Sequence, residues 1–361
     1  MADFHERTRW WTYRRQRLGH NASDVEEALR SVVAVYSSHP TAPLSLYARA
    51  ATFDETGFRR LEEDRVALRV PAMRGSIHLL PRESAHLAFQ ATTRPTAAAR
   101  RWRLQYGGVS DERYDELKAD ILEAAREPRT SRQLGAEVGE SGEALRAVIQ
   151  TMTFEGVLMR VGAEALRSNV LRYVAADAWL GELRGLLDAD PEEALLWLAN
   201  EYLRAFGPAR PEDFRWWTGV SRERVSAALA GVETVEVGNG YLLPAADREG
   251  FEAVEAPEPG TVDLLPKWDC YTMGYAPDGR QRFVHPDLQD RVYAPVGDGR
   301  GVVLVDGEAA GAWEARFPGG GTLMHLDLDL FGHPGDELSE VVEERFEAVA
   351  ALLGARGVSL I

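Results

Sequence analysis

One cysteine, Cys270, stands among 361 residues, which excludes disulfides within the chain and thiolate-clustered zinc. Lysine is almost as scarce. Lys118 and Lys267 are the only two, so nearly all of the 41 basic residues are arginines. The guanidinium preference fits phosphate recognition, and genomic base composition accounts for it equally well. Long apolar runs are absent too. None approaches the roughly 20 residues needed to span a bilayer, and the opening MADFHERTRWW is charged from the outset, unlike a secretion signal. The expected setting is therefore the cytoplasm, with no membrane partner.

What is present describes a globular protein. The apolar fraction is 45% and the charged fraction 27%, ordinary values for a chain of two or three domains. Net charge is −16, unevenly distributed: residues 1–110 carry 17 arginines against 11 carboxylates, a balance of +6, and the remaining 251 residues carry −22. Such a split is expected when one face meets a polyanion; charges that merely decorate solvated surface give it as well.

The most informative stretch runs from Thr130 to Val174. TSRQLGAEV is a short helix opened by Thr130 and Ser131, whose hydroxyls can cap free N–H groups. GEALRAVIQTMTFEG is a second helix, with Leu145, Val148, Ile149 and Met152 recurring at i, i+3, i+4 and i+7 as one buried stripe. Arg146, Gln150 and Thr153 occupy the opposite face, and Arg and Gln suit phosphate or base-edge contacts. VLMRV and LRYVA follow as two strand-length runs. Helix, turn, helix and hairpin make a winged helix, whose usual partner is duplex DNA.

The pattern recurs. HERTRWWTYRRQRLG is a basic helix ending at Gly19, with Arg14, Arg15 and Arg17 as phosphate-contact candidates; RVALRV and SIHLL make a hairpin around PAMRG. Arg74 there precedes Gly75, where backbone can approach a phosphate, and His78 is a structural histidine. In 191–243, three helices precede VETVEV and YLLP, which flank the tight-turn sequence Gly238-Asn239-Gly240. After the linker APEPG the chain turns to short strands, the signature of a small barrel or sandwich. The expected fold is α+β: three tandem winged helix-turn-helix units (1–110 with the basic N-terminal helix, 111–178, 190–250) and a small C-terminal β-barrel with a helix (256–361). HLDLDL alternates with period 2 as a half-buried strand rather than a metal site. No metal and no cofactor is expected.

The stretches VYSSHPTAPLSLYAR, VPAMRGSIHLLPRE, FGPARPEDFRWWTG, LLPKWDCYTMGY and GVVLVDGEAAGAW, in that order, resemble the winged-helix DNA glycosylases that excise alkylated purines and unhook interstrand crosslinks. The resemblance covers nearly the whole chain. It implies three winged helices and a barrel around a DNA-binding channel, and a catalytic element in the loop after the first amphipathic helix. Family members carry Gln-x-Gln or Gln-x-Asp there, just before a proline. Counting back from Pro40 puts Tyr36 and Ser38 at those positions, with His39 beside them. Neither is a Gln or an Asp, so the acceptors that aim water at an oxocarbenium-like carbon are missing. Ser38 can orient water, and His39 has the titration range of a general base; YSSH as a plain helix terminator is the competing reading. Three functions follow: hydrolysis of N-glycosidic bonds of alkylated or bulky-adduct purines by a monomer on double-stranded DNA, DNA binding without catalysis, and a protein-interaction role for the acidic half.

Replacing Arg14, Arg15 and Arg17 together by Gln is expected to weaken DNA binding and flatten its salt dependence, since each phosphate neutralised contributes about −0.9 to the slope of log K against log salt. Anisotropy across a salt series measures it, and an unchanged slope removes this helix from the DNA face.

Overall fold

The computed structural model describes residues 3–361 except 94, 163–164, 169, 182–184, 295–297 and 333–334. The chain divides into two units, Met1–Phe58 with Ala199–Ile361, and Arg59–Leu198. This division is coarser than the four segments expected.

The first unit begins with α1 (Phe4–Arg15), where the Asp3 carboxylate accepts from Glu6 N and the Glu6 carboxylate from Asp3 N, a reciprocal cap. The helix stops before Gly19, because Arg17 already has a φ of 56°. Next come α2 (Val25–Ser31), opened by Asp24, the two-residue strand β1 (Val35–Tyr36) and α3 (Ala42–Tyr47). Helix α4 (Glu55–Glu63) leads out of the unit.

In the second unit β2 (Ala67–Pro71) and β3 (Ile77–Pro81) pair antiparallel, with Val70 opposite His78. After α5 (Arg82–Thr92), α6 (Ala97–Tyr106) and α7 (Asp111–Ala124), the strand β4 (Arg129–Thr130) leads into α8 (Ser131–Val138) and α9 (Gly142–Phe154), then β5 (Leu158–Val161), β6 (Arg172–Ala175) and α10 (Ala176–Leu180). Within this unit the strand order is β3-β2-β5-β6-β4. Thr130 caps α8 with Gln133 as its reciprocal partner. The expected stripe of α9 is buried: Leu145, Val148, Ile149 and Met152 pack with Tyr114 and Leu117 of α7. Arg146 and Gln150 are exposed as expected, but Thr153 is buried, its hydroxyl donating to Ile149 O at 2.8 Å. The last turn of α9 is covered on every side, since Thr151, Met152 and Phe154 are buried as well.

Helix α11 (Pro191–Phe206) brings the chain back to the first unit. There α12 (Pro211–Thr218) and α13 (Arg222–Ala230) precede the hairpin β7 (Thr234–Glu236) and β8 (Leu242–Pro244), turned at Asn239 with φ 54°. Then follow α14 (Arg248–Glu252), β9 (Val262–Leu265), α15 (Cys270–Met273), α16 (Gln289–Val292), β10 (Gly301–Val305), β11 (Glu308–Arg316), β12 (Met324–Leu330), α17 (Asp336–Leu352) and β13 (Val358–Leu360). The last five strands form one sheet in the order β13-β12-β11-β10-β9. Among the described residues its edges β9 and β13 do not pair, so the sheet is open where a closed barrel was expected. A helix does the covering that closure would have done: α17 buries Val342, Phe346 and Val349, and the Phe346 ring meets Trp313 of β11 edge-on at 5.4 Å. The fold is mixed α+β, and antiparallel pairs follow helices at β2–β3, β5–β6 and β7–β8. No helix among the described residues is long and apolar enough to cross a membrane.

One buried ion pair joins the two sequence segments of the first unit. Arg49, just past α3, donates from Nη1 to Asp269 Oδ2 at 2.9 Å and from Nη2 to Asp269 Oδ1 at 2.8 Å, with both side chains wholly buried. Nη1 also reaches Ser45 O at 2.7 Å, and Nη2 reaches Gln16 Oε1 at 3.2 Å. Burial pulls the guanidinium pKa down, but the Asp269 carboxylate more than reverses this and holds it above the ordinary value. Asp269 in turn accepts from Tyr271 N at 2.8 Å, which starts α15.

Arg49→Met is expected to cost about 3–5 kcal/mol, because it leaves a buried carboxylate uncompensated. Adding Asp269→Asn, which keeps the cap on α15 but removes the charge, should recover a large part of that loss in denaturant unfolding.

Candidate active site

The loop between α2 and α3 starts with a strained residue. Val33 has a φ of 69°, a left-handed conformation that β-branched side chains rarely adopt and that clusters at functional sites. The chain then extends. Val35 and Ser37 are buried, while Tyr36 and Ser38 are half-buried and His39 is exposed. Period-2 alternation therefore puts Tyr36 and Ser38 on one side of the backbone, and their hydroxyls are hydrogen-bonded to each other.

The segment after β9 supplies the opposing wall. The Trp268 ring lies 5.1 Å from Tyr36 and 4.5 Å from His39, centroid to centroid, and the Tyr36 and His39 rings are nearly parallel at 6.2 Å. Trp268 is itself left-handed, with φ 60°, and the next residue is Asp269, the anchor of the buried ion pair. Lys267 Nζ sits 4.3 Å above the Trp268 ring and donates to Asp298 Oδ2 at 2.7 Å. The other carboxylate oxygen, Asp298 Oδ1, is buried and has no hydrogen-bond partner among the described residues.

The sequence singles out Tyr36, Ser38 and His39; the structure adds Lys267, Trp268 and Asp298 to the group. The only available signal was that LLPKWD lies in one of the family-like stretches. Burial raises the Tyr36 pKa and the nearby Asp298 charge adds to this, so its hydroxyl stays protonated. For His39, burial and then the Lys267 charge lower the pKa, with Asp298 opposing them. The imidazole is neutral at pH 7 and able to accept a proton.

The candidate DNA contacts are not equivalent. Arg15 is committed internally: its Nε donates to Arg204 O at 2.9 Å and its Nη2 lies 3.2 Å from Asp247 Oδ2. Arg17 pairs with Glu27 at 3.0 Å near the surface, and Arg14 is exposed. Arg74 is exposed at the tip of the β2–β3 hairpin with φ 55°, ahead of Gly75 at φ 70°. Arg146 and Gln150 line a concavity of about 740 Å³ with Arg132, Arg160 and Tyr173. His78 is buried, its Nδ1 3.1 Å from Ser76 O, and burial lowers its pKa to about 4, consistent with a structural role. On β12, Asp327 and Asp329 are held by Arg300 and Arg291, and no group of metal-ligating side chains occurs among the described residues. His333, at the end of that run, lies outside them.

Comparison with known proteins covers most of the chain. The family described as "DNA glycosylase AlkZ-like" matches residues 7–352. An interstrand DNA cross-link repair glycosylase from Streptomyces sahachiroi is 29% identical over 332 residues, spanning 84% of this chain and 86% of that protein. The solved structure of the Streptomyces sahachiroi DNA glycosylase AlkZ superposes with a TM-score of 0.75, covering all of both chains at 20% identity.

The charges around His39 can be tested by NMR titration. Its pKa is expected below that of a free imidazole, rising in Lys267→Gln as a repelling cation is removed and falling further in Asp298→Asn. The opposite ordering would place the two charges elsewhere.

Proposed function

The chain belongs to the AlkZ-like DNA glycosylase family, and on that premise we propose that it hydrolyses the N-glycosidic bond of alkylated or bulky-adduct purines in duplex DNA, with water as the attacking group. The observation that carries this reading is the buried Asp298 Oδ1, without a hydrogen-bond partner among the described residues, beside the Tyr36–His39 loop. The loop lacks the Gln or Asp acceptors of the family, and Asp298 supplies a carboxylate from another part of the same unit.

The chemistry is dissociative. As the bond from the sugar C1′ to the purine nitrogen breaks, its electron pair leaves with the base, and a purine already cationic from alkylation departs neutral. Positive charge develops on the sugar. The Asp298 carboxylate stabilises it electrostatically in a partly dehydrated site. Water adds to C1′, and its proton passes to the neutral His39 imidazole. The faces of Trp268 and Tyr36 attract a cationic ring.

Neither lysine is presented as a nucleophile. Lys267 Nζ is held by Asp298 at 2.7 Å, and Lys118 Nζ by Glu155 at 2.8 Å. A strand-cleaving enzyme would need a reactive lysine or N-terminal amine to form a Schiff base; with both lysines held and water as the attacker, the product on this reading is an abasic site in an intact strand. We read the three helix-plus-hairpin sets as winged helices that contact the duplex, with Arg74, Arg146 and Gln150 among the contacting residues and Arg14 and Arg17 on the α1 side.

On a duplex carrying N7-methylguanine, the protein is expected to release free base without strand cleavage or borohydride-trapped adduct. Asp298→Asn should lower the single-turnover rate on the order of 100-fold with DNA affinity nearly unchanged. The rate should fall as pH drops through the His39 pKa, and His39→Gln should remove that acid limb. Tight binding without base release would favour the non-catalytic reading, to which Tyr36 and Ser38 in place of the family's acceptors already point.

A further inference from the structure

Helix α6 has an inner and an outer face of different character. Thr96 opens it, its hydroxyl accepting from Ala99 N at 3.1 Å. On the inner side Leu104 is buried, the Arg103 guanidinium lies 4.1 Å from the Phe154 ring centroid, and Arg100 lies between the Tyr114 ring and the Glu155 carboxylate. Just past its end, Gly107 fits against α9 so closely that a Cβ there would stand 2.7 Å from Ala147 Cβ and 2.9 Å from Glu143 O. The helix is thus fixed on its neighbours and cannot turn its outer face inward without losing these contacts.

That outer face carries Arg101, Trp102, Gln105 and Tyr106, all exposed. Trp102 is 57% and Tyr106 66% exposed, and they are the only exposed Trp, Tyr or Phe side chains among the described residues. They stand one helical turn apart, ring centroids 5.1 Å from each other at 78°. The surrounding sequence is as one-sided as the chain offers, with no carboxylate between Glu83 and Asp111 but Arg94, Arg100, Arg101 and Arg103.

We propose that the outer face of α6 is a stacking platform for unpaired bases of DNA. This rests on the DNA-binding reading above and extends it to a surface distinct from the catalytic loop. Of these cations Arg101 stands on the outer face, and a cation there without a carboxylate beside it in the sequence matches a phosphate backbone, whereas an apolar protein partner gives no reason for that exclusion. Paired bases hide their faces inside the duplex, whereas an unstacked base offers one to Trp102 or Tyr106 whatever its identity. The same rigidity that would make α6 a poor adaptor for varied protein partners makes it a good fixed shelf.

The test uses the full chain, undamaged fluorescent DNA and anisotropy, comparing a fully paired duplex with one carrying a two-nucleotide bulge. Wild-type protein should prefer the bulged duplex. Trp102→Ala with Tyr106→Ala should weaken binding to the bulge roughly 10-fold or more and change binding to the paired duplex less than about 2-fold, while Trp102→Phe with native Tyr106 retains most of the preference. Arg101→Gln should weaken both and reduce the salt slope by about 1. Because these side chains are exposed, circular dichroism melts should match the wild type. Absence of a bulge preference in the wild type, unaltered binding of the bulge by the double variant, or equal loss on both DNAs would overturn the platform. Base release from alkylated duplex is scored separately, so failure there sinks the glycosylase reading and leaves this one standing.

Discussion

The Arg49–Asp269 pair is the constraint on which the geometry of the candidate site rests. Two charges withdrawn from water are costly unless they are well paired, and here Nη1 and Nη2 of the guanidinium meet both carboxylate oxygens, a backbone carbonyl and the Gln16 amide oxygen, leaving Nε without a partner among the described residues. The residues on either side of this lock inherit its rigidity. Trp268 precedes Asp269 directly, and α3, whose Ser45 carbonyl accepts from Arg49, follows the Tyr36–His39 loop. Aromatic walls from sequence-distant segments thereby meet at 4.5–5.1 Å in register, although one of them adopts a backbone conformation a tryptophan does not favour by itself.

On the proposed reading, a functional group absent from the loop is supplied from elsewhere. Water activation needs a hydrogen-bond acceptor and a negative field near the sugar, and neither must come from one particular loop. Tyr36 and Ser38 are hydrogen-bonded to each other, while the Asp298 carboxylate has one oxygen engaged by Lys267 and the other without a partner among the described residues. An oxygen buried without a partner is a standing cost to the folded state. Sites of this kind persist where the unmet interaction is completed by substrate or water.

How much of this was legible in the sequence follows from the range of the forces involved. The α9 stripe, the cap at Thr130 and the Gly-Asn-Gly hairpin are set by residues a few positions apart, and each appears as expected, whereas Ser131, expected to cap beside Thr130, is the first residue inside α8 and Gln133 completes the cap instead. The open sheet was misjudged as a barrel because strand spacing says nothing about whether the edge strands meet or a helix covers them. Charge was the least transparent quantity. The arginines of α1 suggested a free basic face, but Arg15 is tied to Asp247 and Arg204, and Arg9 to Glu308. Lys267 and Asp298 join the loop only through tertiary folding, and Arg49 and Asp269 are 220 positions apart, so no local pattern could have paired them.

The scarcity of lysine has a practical corollary once Lys267 is placed. Most proteins of this size present dozens of amines to an acylating reagent, and the reactivity of any one is lost in the total. This chain has two lysine side chains, one on α7 and one beside the aromatic cluster. Its acylation pattern, read by peptide mass, is therefore close to a direct gauge of whether the Lys267–Asp298 contact is closed or open. Occupation of the site by a damaged base would be visible as a change at a single residue, without any label having been introduced.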